Sequence, residues 1–263
     1  MRFRPDRLVL LTVVAVVAAV VGGAALRTSA ADASAATCGT GANGSPGYAY
    51  AGLQASTIGH GVRATLTPLA TPSVTAGHVA GWIGVGGPGQ GPNGESMWLQ
   101  TGIVTIPGMP SILYVEITRP GAAPRFVPLD HEVVPGRNVR LAVLETSHRP
   151  DYWRVWVNEQ PVTDPIHLPG STGLWRPIAT AESWNGGKDA CNAFAFRFER
   201  VGVARTKGGS WAAFAPGHTF RDRGFVVRPV SGRGARTILT RDAPEPYAFE
   251  AASLAAPSGE QPL

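Results

Sequence analysis

Between residues 77 and 204 apolar and polar side chains repeatedly change places at a period of two. That is the period of a half-buried β-strand. In "ILYVEIT", Leu113, Val115 and Ile117 share one face, and Tyr114 and Glu116 the other. In "YWRVWV", Trp153, Val155 and Val157 oppose Arg154 and Trp156, and in "FAFRF" Phe194, Phe196 and Phe198 alternate with Ala195 and Arg197. The segment "SMWLQTGIVTI" sets Leu99, Thr101 and Ile103 on one face and Trp98, Gln100 and Gly102 on the other. "GHVAGWIGVGG", the first strong strand after a Pro/Thr-rich approach, and "NVRLAVLET" complete the series. The turns "GGPGQGPNG", "RPGAAP", "VPGRN" and "LPGSTG" separate the strands, and "GFVVRPV" and "RTILT" continue the pattern beyond residue 204. No segment after the N-terminal apolar run has a helical period. Many strands at short spacing predict an all-β sandwich or barrel.

Composition agrees: 33 Gly and 23 Pro in 263 residues suit a turn-rich β protein. Arg2, Arg4 and Arg7 precede the apolar run Leu8 to Leu26, and small residues follow, the layout of an export signal cleaved after Ala33 or Ala35. The run is also about long enough to anchor the chain in a bilayer, which is the other reading. The expected organisation is a signal over 1–35, a flexible lead over 36–46, one domain over 47–250 and a disordered tail over 251–263. Export and an even cysteine count predict a disulfide between Cys38 and Cys191. The formal charge of +5 comes from scattered residues. Arg221, Arg223, Arg228, Arg233, Arg236 and Arg241 read as a solvated face, and no nucleic-acid motif accompanies them.

Several chemistries find no support. "PGSTG" and "GGSWA" only approach a nucleophile elbow, which needs a strand–turn–helix. "GGPGQGPNG" lacks the lysine and helix of a phosphate loop. His60, His78, His131, His148, His167 and His218 are dispersed and read as surface or structural histidines, so neither a metal nor a cofactor is expected. Glu116, mid-strand beside Tyr114, and Glu182, near Trp184 in "ATAESW", are the candidates for proton transfer. Burial beside aromatic rings raises a carboxyl pKa into a working range. A wet strand face with two ordinary glutamates is the competing reading.

The order "GHVAGWIGVGG", "WLQTGI", "LYVEITRPG", "ATAESW" resembles that of the glutamic peptidases, the eqolisin family, from about Gly77 to Ala204. That family has a "W-V-G" strand, a "LQ-[TA]-G-V" strand with the catalytic glutamine, a "Y-E-W" strand and an "AEW" strand with the catalytic glutamate. Ser183 stands here where the family has tryptophan, with Trp184 one place later. The resemblance implies a two-sheet antiparallel β-sandwich, a concanavalin-like jelly roll with its site on a concave face. It implies Gln100 and Glu182 as the catalytic pair, with Trp82, Trp98, Tyr114, Glu116 and Trp184 lining the cleft.

The expected activity is therefore that of a secreted, monomeric, acid-acting endopeptidase on protein or peptide substrates, touching a membrane only through an uncleaved N-terminal segment. Two other readings stay open. One is a non-catalytic sandwich that binds glycan or peptide on the same aromatic face. The other is a glycoside hydrolase using Glu116 and Glu182 as its carboxylate pair.

Overall fold

The computed structural model describes residues 47–184, 192–230 and 247–253. The N-terminal apolar run, both cysteines, Arg233, Arg236, Arg241 and "RTILT" lie outside them. Sixteen strands make up the described chain: β1 Tyr48–Ala55, β2 Gly61–Pro68, β3 His78–Gly87, β4 Met97–Thr105, β5 Ile112–Thr118, β6 Arg125–Glu132, β7 Val139–Glu145 and β8 Tyr152–Val157. There follow β9 Gln160–Pro161, β10 Ile166–His167, β11 Ile178–Trp184, β12 Ala195–Ala204, β13 Trp211–Ala213, β14 Pro216–Arg221, β15 Phe225–Pro229 and β16 Tyr247–Ser253.

They form two antiparallel sheets, as a concanavalin-like sandwich requires. The first has the order β14-β1-β11-β3-β4-β5-β6. The second runs β10-β8-β7-β2-β12-β16-β15, with β13 added to β12 and β9 to β8. Proline cannot donate to a ladder; Pro128 on β6, Pro216 on β14 and Pro229 on β15 are in edge strands, and Pro68 is the last residue of the interior strand β2.

The period-two faces place the core. Leu99, Ile103, Leu113, Val115, Ile83 and Val85 of the first sheet meet Leu141, Val143, Trp153, Val155, Phe196 and Phe198 of the second. Packing is tight enough that a Cβ on Gly81 would lie 2.8 Å from the Phe196 ring. The alternation in β12 breaks after Phe198, and the next inward residue is Val201. A register shift there, with Arg200 at φ 53°, is a β-bulge that turns both residues inward. Strand β16 runs to Ser253, into the stretch expected as tail. Two strands, β1 and β2, stand ahead of β3, and the sequence reading passed over both. Ala49, Ala51 and Ala55 give β1 a weak strand propensity, and its place between β11 and β14 holds it extended.

Candidate functional site

The central strands β11, β3 and β4 of the first sheet are buried on both faces. Away from the main core, Ala80, Trp82, Val104 and Tyr114 form a second apolar cluster, with Tyr50, Ile112 and Ile178 against it. The register makes this one continuous floor. Thr180 pairs with Trp82, Trp82 with Gly102, and Gly102 with Tyr114, giving a single cross-strand row. Gly102 makes the row possible. A Cβ there would stand 2.1 Å from the Gly81 carbonyl oxygen and 2.6 Å from Trp82 Cβ.

Polar groups rise on either side of that row. On one side Glu182 pairs with Ala80 and Tyr50. Trp82 donates Nε1–H to Glu182 Oε2 at 2.9 Å, and His78 Nε2 lies 3.2 Å from Oε1. On the other side Gln100 pairs with Gly84 and Glu116. Gln100 Nε2 donates to the Tyr114 hydroxyl at 3.2 Å, and Trp98 Nε1–H donates to Glu116 Oε1 at 2.8 Å. Gln100 and Glu182 thus stand two strands apart on one face, and each bonds to a residue of the same row. The glutamine is 8% exposed and the glutamate 6%.

All seven residues picked from the sequence share this face. Trp184 sits at its end because it follows Glu182 by two residues, and its ring meets those of His78 (5.6 Å between centroids) and Tyr48 (6.1 Å). Ser183, between them, turns to the other face, where it accepts a hydrogen bond from Asn192 Nδ2 at 3.1 Å. The sequence reading missed Tyr48, Tyr50 and His78. The alternation in "YAYAGLQA" was the signal for the tyrosines, whereas a lone histidine gave none.

The electrostatics follow from burial. Glu116 is pushed up from the ordinary glutamate value, first by desolvation and then by the charge of Glu182; the Trp98 hydrogen bond and His78 oppose the shift. Tyr48, Tyr50 and Tyr114 are all pushed well above the usual tyrosine value, by burial first and next by the Glu182 charge. Their hydroxyls therefore keep their protons. A second buried carboxylate, Glu145, lies elsewhere. It is held by His60 Nδ1 at 2.7 Å, by the Asp151 amide at 2.9 Å and by the Thr172 hydroxyl, and it ties loops together.

No protein-family model matches the chain, and no curated protein matches it. Solved structures do resemble it in fold. A scytalido-glutamic peptidase bound to a transition state analog inhibitor superposes with a TM-score of 0.51 at 14% identity, over 78% of this chain and 98% of its own. A member of the eqolisin family of peptidases in complex with a tripeptide gives 0.44 at 14%, over 78% and 96%. A Bacillus licheniformis beta-glucanase gives 0.34 at 14%, over 52% and 57%.

Proposed function

We propose that this protein is an acid-acting endopeptidase in which Glu182 and Gln100 divide the work. The observation that carries the reading is the convergence of one carboxylate and one neutral amide on the Trp82–Gly102–Tyr114 row. Glu182, as carboxylate, removes a proton from a water whose oxygen attacks the peptide carbonyl carbon. When the tetrahedral intermediate breaks down, the same proton passes to the departing amine nitrogen and the C–N bond breaks. The oxyanion formed between the two steps needs a donor. A primary amide has two N–H groups, and Tyr114 takes one of those on Gln100, which leaves the second for the oxyanion. Because Tyr114 keeps its proton, it holds the amide without adding charge. The indole of Trp82 fixes the base in turn.

The purified domain should cleave an unfolded protein at acidic pH, by a reaction that a chelator does not stop. Glu182→Gln removes the base and should abolish turnover while the fold persists. Gln100→Ala should lower kcat by about 10²–10³-fold, the usual effect of losing one oxyanion donor. Failure of the wild-type domain to cleave any protein between about pH 2 and 7 would sink this reading.

A second reading draws on Glu116, which shares the face and feels the Glu182 charge. Two carboxyls in different surroundings are what a glycoside hydrolase uses. Glu116→Gln separates the two readings: glycan hydrolysis would be lost, whereas peptide cleavage should persist in part.

A further inference from the structure

We propose that His78 is a positioning residue for Glu182, and that the histidine–glutamate pair, rather than the glutamate alone, presents the base to water. The inference rests on reading Glu182 as the base. It starts from the two oxygens of that carboxylate. Trp82 Nε1–H occupies Oε2 at 2.9 Å, and His78 Nε2 approaches Oε1 at 3.2 Å from the opposite end of the site. A carboxylate only accepts, so His78 carries its proton on Nε2 in this contact. Held by two N–H groups on one strand, Glu182 cannot swing about its long side chain, and each oxygen retains a free lone pair.

The histidine is itself held in place. Its ring lies against Trp184 at 36° and Tyr48 at 69°, and those two rings are 6.1 Å apart. The side chain is 23% exposed, a partly covered group at the rim of the site. The groups that feel the Glu182 charge are Tyr48 and Tyr50 on β1 and Tyr114 and Glu116 on β5, and Asp222 holds the Tyr50 amide at 2.7 Å. The tyrosines stay neutral, so the charges His78 meets are carboxylates, and it opposes the upward shift of Glu116 as well. During hydrolysis the water proton goes to Glu182 and then to the amine, while His78 keeps its own proton throughout.

The test uses two variants of the whole domain. His78→Phe keeps a ring against Trp184 and Tyr48 but deletes the N–H, and His78→Gln keeps an N–H donor without the ring. With Glu182 freed at one oxygen, H78F should lose about 10²-fold in kcat, with KM within twofold of wild type. H78Q should recover at least tenfold of that loss. An activity-independent reading is the indole N–H resonance of Trp82, assigned with Trp82→Phe. It should move in H78F, as the carboxylate reorients, and stay near its wild-type position in H78Q. Equal kcat losses in H78F and H78Q, or an unchanged kcat in H78F, would overturn the proposal. An unmoved Trp82 resonance in H78F overturns it whether or not the domain cleaves peptides. A wild-type domain that cleaves nothing overturns the peptidase reading alone, and the resonance still decides the role of His78.

Discussion

Glu116 and Glu182 occupy one sheet face in different company, and the difference has a consequence for stability. Glu182 has two N–H partners, whereas Glu116 has one, from Trp98, and burial raises its pKa. Between the ordinary glutamate value and that raised value, the folded chain holds a proton that the unfolded chain has released. Stability therefore falls as pH rises through this window. Glu116→Gln lacks that slope. Urea unfolding at pH 4 and at pH 7 should show the variant gaining on wild type at the higher pH; a variant that instead loses ground to wild type at pH 7 would contradict the assignment. The strand position of Glu116 was legible in "LYVEIT", because alternation alone puts it beside Tyr114. Its altered titration was not, because desolvation depends on what the neighbouring strands bring across. His78 shows the same limit more sharply. Its partner is 104 residues away in sequence, and only the pairing of β3 with β11 makes the two neighbours.

At the scale of the strand, glycine and phenylalanine set the spacing of the site and of the sandwich. Gly102 leaves room for Trp82 and Tyr114 on either side, so Gly102→Ala forces a Cβ against the β3 backbone. The expected cost is about 1–3 kcal/mol or more, since backbone atoms yield little. A lower melting temperature should accompany lost turnover, because Trp82 is pushed off Glu182. On the second sheet Phe198 of β12 and Phe249 of β16 are fully buried and stack at 4.6 Å, 3° from parallel. Phe198→Ala should destabilise by about 3–5 kcal/mol in chemical denaturation. That pairing was half visible: the phenylalanine alternation in "FAFRF" announced a strand, but nothing in it pointed to β16 as its neighbour.

For the whole molecule, the two sheets divide labour. The face between them is a hydrocarbon core, and the far face of the seven-stranded sheet carries a second, smaller apolar cluster with the polar groups standing on it. Nonadjacent parts of the chain assemble that face: β1, β11, β3, β4 and β5 are neighbours in space, yet β11 follows β5 by 60 residues of chain. Export remains a proposal at this scale. If residues 1–35 are a cleaved signal, N-terminal sequencing of protein from the medium should begin between Ala31 and Thr37. If Cys38 and Cys191 form a bridge, non-reducing peptide mapping should recover their peptides joined, and Cys38→Ser should cost about 4–5 kcal/mol in the chain-entropy account of so long a loop. Both thiols alkylating without reductant would end the bridge proposal.

Local pattern was enough to reveal the all-β class, the inward faces of β4, β5, β8 and the first half of β12, and the turns between them. A strand's period of two is written in consecutive residues and needs no partner to be read. Motif order was enough to nominate Gln100 and Glu182. Strand order, the bulge that turns Val201 inward, the edge positions of Pro128, Pro216 and Pro229, and the meeting of His78, Trp82 and Glu182 belong to the folded chain. Each depends on which strands pair and in what register, and pairing is settled by burial summed over two sheets. A single segment carries no record of that sum.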